Sequence, residues 1–406
     1  MNNRQSLKSL LQNKDFILMQ FGLTVSRIGT FMQDVAVNWQ LYQLTRSPIS
    51  LGIVGLAKFL PVLICSFFAG IIADTFNRKK VIFLVETIAI LNSSILAYLT
   101  FTGKITPLLI YIFVGLDAGL YSFESPARQA MGPTIVKKED YPLAVNIMNI
   151  FYQSTQFVGP ALSGFVIAFW EVKTVYVVNA LSFAAVLVAL VFMNPLPKNT
   201  KRPNFSLKEI GEGLKFVFKT PLIASSMYID FFAQFFGSSL TLLPIFAVKI
   251  LKLGPAAMGF LYAAPAVGAI IAGMIFPFFS KIKERGKLLF GGILLYGVSI
   301  VFFGLSKNFY LSLILLALSG AGDVVSVIIR NVIRQLNTPD YIRGRMTAVN
   351  MAFYTGGPEL GEVEAGFTAN LLGTPYSVAI GGLATIAVTL LIAKKTPELL
   401  NYTDSV

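Results

Sequence analysis

The stretch Gly70-Ile71-Ile72-Ala73-Asp74-Thr75-Phe76-Asn77-Arg78-Lys79-Lys80 lies between two long apolar runs. Such flanks make it a short cationic turn joining two membrane-spanning helices. Gly70 is expected to let one helix approach a neighbour closely. Asp74 stands where a helix ends and can accept backbone N–H groups from a nearby helix start. Asn77 tolerates the left-handed backbone of a tight turn. Arg78, Lys79 and Lys80 hold the turn at the cytoplasmic face. Any inner loop carries Lys and Arg, so the distinguishing part is the Gly-x-x-x-Asp spacing ahead of them.

The rest of the composition agrees with a membrane protein. Of 406 residues, 55% are hydrophobic and 13% charged, a balance foreign to soluble domains of this size. Apolar stretches of about 20 residues recur along the chain, the length that crosses a bilayer. The single cysteine, Cys65, sits in an apolar run and cannot form an internal disulfide. Histidine is absent, which excludes histidine metal ligands and a histidine relay and leaves Asp and Glu to handle protons. No Walker A run, zinc spacing or nucleophile–base arrangement occurs, so the chain is not expected to be an enzyme or to need a cofactor or a resident metal. The net charge of +13 fits cytoplasmic loops facing anionic lipid better than it fits nucleic acid.

Residues 1–14 carry Arg4, Lys8 and Lys14 and read as a cytoplasmic tail. Spans are expected at 15–40, 49–73, 79–101, 105–130, 142–169 and 173–194. A polar, basic segment at 195–220 interrupts the pattern, and six more spans follow at 221–250, 256–280, 287–305, 309–335, 344–372 and 375–394. The expected class is therefore an all-α membrane protein with twelve spans: a six-helix bundle over 1–194, a cytoplasmic linker over 195–220 and a second six-helix bundle over 221–406. Of 33 Lys and Arg, six lie in the loops opposite the termini (Arg46, Lys104, Lys173, Lys249, Lys252 and Lys307) and two within spans (Arg27 and Lys58), leaving 25 on the side of the termini. That bias places both termini in the cytoplasm.

The chain is also a duplication. Asp117 followed by Arg128-Gln129 recurs 206 residues later as Asp323 followed by Arg334-Gln335. Ala144-Val145-Asn146 is echoed by Ala348-Val349-Asn350, and Gly159-Pro160 by Gly357-Pro358. Four shared elements in one order at nearly constant offset indicate two related halves.

The loop stretch resembles the loop between helices 2 and 3 of the major facilitator superfamily, Gly-x-x-x-Asp-(Arg/Lys)-x-Gly-(Arg/Lys)-(Arg/Lys). Gly70, Asp74, Arg78 and Lys79 match it, while Thr75 replaces the basic residue and Asn77 the glycine. Ala69–Leu84, Ser206–Leu222, Met258–Gly268 and Leu336–Arg345 are similar to the enterobactin-exporter branch, which also holds macrolide-efflux and lysophospholipid carriers. The resemblance implies two pseudo-symmetric six-helix bundles, with substrate bound between them and spans 1, 4, 7 and 10 lining the cavity. It implies a monomer in a bacterial cytoplasmic membrane, in contact with lipid, that exports a small molecule such as a siderophore, drug or lysolipid against protons. Gly159, Pro160 and Gly164, with Ser163 between them, resemble the Gly-Pro-x-x-Gly-Gly motif of helix 5 in exporters of this superfamily. Pro160 is expected to bend that helix.

Charges inside spans are costly unless they face a cavity or a partner. Asp117, Tyr121, Glu124 and Arg128 share one helix face, Arg27 and Asp34 share another, and Asp323, Arg330 and Arg334 repeat the pattern. Asp34 and Asp117 are the expected proton carriers, with Arg27 the cation beside Asp34. Arg128 and Arg334 are expected to form ion pairs between the halves at the inward gate. Gln153, Gln156, Asp230, Gln234 and Asn350 read singly as helix–helix hydrogen bonds. In span 11, Glu359, Glu362 and Glu364 crowd behind Gly356-Gly357-Pro358. Glu359 and Glu362 form a candidate cation site if the Gly-Gly-Pro run breaks the helix. Other readings are divalent-metal export of the ferroportin type and a transporter-like sensor that moves nothing.

The charge bias makes a direct forecast. Single cysteines at position 104 or 307 should react with an impermeant reagent from outside, and cysteines at 79 or 283 should not. The reverse pattern would overturn the topology.

Overall fold

The computed structural model describes residues 3–195, 207–238, 240–276, 283–339 and 341–403. Helices in chain order are α1 (Asn3–Gln12), α2 (Lys14–Thr45), α3 (Pro48–Thr75), α4 (Arg78–Phe101), α5 (Pro107–Ile135), α6 (Tyr141–Phe192), α7 (Leu207–Lys219) and α8 (Pro221–Gly237). A 3-10 turn (Leu240–Leu242), the short α9 (Leu243–Ile245) and a π-helical turn (Phe246–Ile250) follow. Then come α10 (Pro255–Ile275), α11 (Arg285–Leu305), α12 (Phe309–Leu336), α13 (Arg343–Leu372), α14 (Thr374–Lys395) and α15 (Pro397–Leu400).

Among the described residues, nine helical runs are long and apolar enough to cross a membrane. One of them, α6, is 52 residues long and breaks at Glu171, whose φ of 67° lies in the left-handed region. It thus joins two helices with no loop between them. At 32 and 30 residues, α2 and α13 are as long as the others but fall outside the nine, because amide and charged side chains interrupt their apolar faces. The span expected at 221–250 is not one helix: it stops at Gly237 and resumes through the 3-10 and π turns. In the linker, the described part 207–219 is the helix α7. Leu207, Ile210, Leu214 and Val217 recur at helical spacing, and Val217 is buried against Ile223, Met227, Met346 and Val349.

The chain forms two compact units, Met1–Thr45 with Ala57–Phe205, and Arg46–Leu56 with Ser206–Val406. In the first, α2 lies along α6 at backbone contact: a Cβ on Gly22 would stand 3.1 Å from the Ala185 carbonyl. Met19, Leu23, Ile82, Met131 and Leu190 fill the space between α2, α4, α5 and α6. The tail helix α1 packs Leu10 with Phe16, Val136 and Ala144, and Asn13 Nδ2 donates to the Ile135 carbonyl at 2.7 Å. Beside it, the hydroxyls of Ser9 and Ser6 hold the Asp140 carboxyl below the ordinary aspartate range. In the second unit, Ile229, Leu289, Ile293, Ile329 and Leu399 form the centre. There α10 and α12 touch so closely that a Cβ on Gly320 would lie inside the Pro265 carbonyl.

The cationic turn differs from its expected form. Asn77 is not left-handed; at φ −64° and ψ 114° it is the N-cap of α4 and accepts from the backbone N–H of Lys79 and Lys80. Capping needs a short side-chain carbonyl, which Asn supplies as well as the expected turn would. Arg78 donates to the Ala130 carbonyl at 2.7 Å and Lys79 to the Met193 carbonyl at 2.9 Å. Both cations thus satisfy carbonyls near the C-terminal ends of α5 and α6, where the helix dipole favours positive charge. Asp74 ends α3, but its side chain lies outside the described residues. Among the described residues, a Cβ on Gly70 would meet no atom within 4 Å.

Gly159 is where close approach matters. A Cβ there would lie 2.6 Å from Phe31 Cβ and 2.9 Å from the Ile28 carbonyl. Gly159→Val should lower stability by about 1–3 kcal/mol through overpacking, whereas Gly70→Ala should leave it unchanged. Thermal melts of the purified variants check this, and equal melting of both would refute it.

Candidate functional site

The intramembrane polar side chains fall into one constellation per unit. In the first unit, Asp117 on α5 is held by two amides. Asn92 Nδ2 from α4 donates to Oδ1 at 2.6 Å, and Gln33 Nε2 from α2 donates to Oδ2 at 2.6 Å. The Gln33 Oε1 accepts from Ser93 Oγ at 2.9 Å and from Asn179 Nδ2 at 2.9 Å. One buried network therefore ties α2, α4, α5 and α6 together. In hydrocarbon each such group needs a partner from another helix, because water is absent.

The remaining residues of the α5 stripe separate. Tyr121 is exposed. Glu124 and Arg128 pair with each other at 3.0 Å along the helix. Arg27 does not pair with Asp34. Seven residues along α2 separate them by roughly 10 Å, and Lys58 reaches Asp34 from α3 at 3.1 Å. Arg27 lies instead over the Tyr152 ring, 4.7 Å from its centroid.

In the second unit, Gln234 Nε2 on α8 donates to Asp323 Oδ1 on α12 at 2.9 Å. The first and fourth long helices of each unit thus make the same amide-to-aspartate contact. Asp230, which read singly as a helix–helix hydrogen bond, is the centre of a buried ion cluster. Its Oδ1 lies 2.9 Å from Arg330 Nη2 and its Oδ2 3.2 Å from Arg334 Nη2. Arg334 also donates to Ser226 Oγ at 3.1 Å and to the Ser226 carbonyl at 2.8 Å. Arg330 Nη2 stands 3.8 Å from Asp323. Arg128 and Arg334, expected to form ion pairs between the halves, each have a carboxylate inside their own unit, Glu124 and Asp230.

The exporter-like motif on α6 is a packing seam. Gly159, Pro160, Ser163 and Gly164 are buried, and Ser163 Oγ donates to the Met32 carbonyl on α2 at 2.7 Å. The backbone of α6 departs from helical values at Glu171 and not at Pro160. The second unit repeats the seam: Gly357 and Gly361 of α13 face the Phe231 and Phe235 carbonyls of α8. Gly356-Gly357-Pro358 does not break α13, which runs unbroken from Arg343 to Leu372. Glu364 accepts from Thr368 on its own helix at 2.7 Å. The backbone at Glu359 and Glu362 packs against Gly55 and Gly52 of α3.

Sequence reasoning passed over Gln33, Asn92 and Asn179. Gln33 and Gln234 are 201 residues apart, whereas their aspartates are 206 apart. The change of register between span 1 and span 4 hides the pair from a search at one offset.

The two acid environments should respond differently to neutralisation. Asp230→Asn leaves two buried arginines short of a carboxylate and should cost about 3–5 kcal/mol of stability. Asp34→Asn breaks a pair whose Asp34 side chain is 44% exposed and should cost about 0–1 kcal/mol. Denaturation of both variants in one detergent measures the difference, and equal losses would refute the assignment of Asp230 as the hub.

Comparisons with known proteins agree with this architecture. Residues 6–404 match the model of a family described as transmembrane secretion effector. The chain is similar to the staphyloferrin A transporter of Staphylococcus aureus, 25% identical over 371 residues covering 89% of this chain and 91% of that protein. It is likewise similar to the enterobactin exporter EntS of Escherichia coli, 25% identical over 395 residues covering 94% of each. Among solved structures, a D-xylose-proton symporter superposes with a TM-score of 0.73 at 14% identity, covering 96% of this chain and 99% of that one, which shows the shared fold. The chain is a multi-pass membrane transporter and belongs to the transmembrane secretion effector family of the major facilitator superfamily.

Proposed function

We propose that the protein is a proton-coupled exporter of small amphipathic molecules of the siderophore class. It works by alternating access between two six-helix halves, 1–194 and 221–406, joined by the linker 195–220, with both termini in the cytoplasm of a bacterium. Substrate enters from the cytoplasm or the inner leaflet and leaves as protons enter. The names of the staphyloferrin A transporter and the enterobactin exporter favour this substrate class.

The observation that carries the mechanism is the duplicated contact, Gln33 to Asp117 and Gln234 to Asp323. A carboxylate held by neutral amides can take or release a proton without parting from a bound cation. Asp230 differs, because each of its oxygens faces an arginine, at 2.9 and 3.2 Å. With histidine absent, acids of the first kind are the carriers the chain offers. Asp117 takes that role here together with Asp323, which has the Gln234 amide at 2.9 Å and Arg330 only at 3.8 Å, and Asp34, paired with Lys58, is a secondary candidate.

Transport in everted vesicles tests the reading. With an acid interior, vesicles holding the native protein should accumulate an amphipathic substrate. Asp117→Asn with Asp323→Asn should abolish uphill accumulation and leave downhill exchange in place. Full uphill transport by the double variant would overturn proton carriage at these two positions.

A further inference from the structure

The cations along the long helices are not in equal positions. Lys58 has Asp34 at 3.1 Å, Arg128 has Glu124 at 3.0 Å, Arg330 has Asp230 at 2.9 Å and Arg334 has Asp230 at 3.2 Å. Arg27 is the exception: among the described residues no carboxylate lies within ion-pair distance of its guanidinium. It lies roughly 20 Å along α2 from Lys14 at 1.5 Å per residue, well inside the membrane. It is half-buried, and it lies against the face of the Tyr152 ring. Phe31 stands 6.0 Å from that ring, tilted at 57°. Tyr121, nearly half exposed, is a neighbour on α5, and Glu124 is near but spent on Arg128.

A cation at that depth is costly unless something compensates it. A ring face returns part of the cost. The contact with the ring leaves the guanidinium its N–H fork to offer a partner outside the helix. That fork matches a planar oxyanion and binds it through two parallel charge-assisted hydrogen bonds. The rings beside it offer a surface for an aromatic body. The second unit carries no equivalent, since the charge on its first long helix is Asp230, already engaged by two arginines.

We propose that Arg27, on its Tyr152 platform, is the recognition point for the oxyanion of an organic anion with an aromatic or flat apolar body. This rests on the exporter reading and names its substrate class: an anion with a planar oxyanion such as a carboxylate, in preference to a cation. The anion pairs with the Arg27 fork while its body lies against Phe31, Tyr121 and Tyr152. Arg27 is thus a substrate-binding residue and not a partner in proton carriage by Asp34.

Calorimetric titration of the purified full-length protein with 2-naphthoate tests this, with 2-naphthylmethanol and 2-naphthylmethylammonium as neutral and cationic matches. The native protein should bind the carboxylate at least about ten-fold more tightly than either match, the worth of a charged hydrogen-bonded pair. Arg27→Gln should erase that preference. Arg27→Lys should retain part of it, and Tyr152→Leu should weaken all three ligands a few-fold, so the proposal stays testable if Arg27→Gln fails to fold. No binding of naphthoate by the native protein, equal binding of the three ligands, or an unchanged preference in Arg27→Gln would overturn it. The exporter reading is judged separately in everted vesicles. Gradient-driven accumulation of a cationic dye with no role for Arg27 sinks the anion site alone. Arg27-dependent naphthoate binding without gradient-driven movement of any ligand sinks export alone.

Discussion

The clasp of Asp230 on Arg330 and Arg334 is the interaction on which the second unit turns. Two guanidinium groups, 1% and 5% exposed, sit among apolar side chains because one carboxylate divides its oxygens between them. In water such a cluster would be nearly neutral in energy; in hydrocarbon the unpaired alternative is far worse. The clasp therefore fixes how α8 lies on α12, and the apolar packing of Ile229 with Ile329 and Ile333 follows from that placement. The first unit solves the same problem differently. Its equivalent seam is made by amides, Gln33, Asn92 and Asn179, which carry no charge to neutralise but must have every N–H directed at an acceptor.

The small residues act on a different axis. Gly22 and Gly159 bring α2 and α6 to backbone contact, and Gly268 and Gly320 do so for α10 and α12. Helices in lipid gain little from hiding apolar surface, since lipid tails are equally apolar. Close backbone approach and interhelical hydrogen bonds supply the attraction instead. That division fits the many large apolar side chains left exposed, such as Phe169, Leu181, Tyr310 and Leu371, while Gly, Ser, Asn and Gln occupy the buried faces.

Much of this was legible in the sequence, and the gaps have physical causes. Helical periods and Lys/Arg bias are local properties, so the long apolar helices and the cationic turn could be read directly. The family followed from a handful of spaced residues in that turn. Partner choice is not local. Asp34 reads as a partner for Arg27 because both lie on one helix face, yet Lys58 comes from a neighbouring helix at shorter range. Asp230 is one acid among many until α12 brings two arginines to it. Asn77 reads as a left-handed turn residue, and its backbone angles make it a cap instead. Gln33 and Gln234 were hidden by a five-residue slip between the two copies of the repeat.

The two amide-held aspartates look like copies, but their free oxygens differ. Both oxygens of Asp117 face an N–H, one from Asn92 and one from Gln33, and the Gln33 amide cannot turn over without forfeiting Ser93 and Asn179. A hydrogen on either oxygen therefore weakens a strut that joins α5 to a neighbouring helix. At Asp323 the contacts from Gln234 and Arg330 both fall on Oδ1, so a hydrogen on Oδ2 disturbs neither. The repeat thus pairs a fully braced carboxylate with one that is braced on a single oxygen.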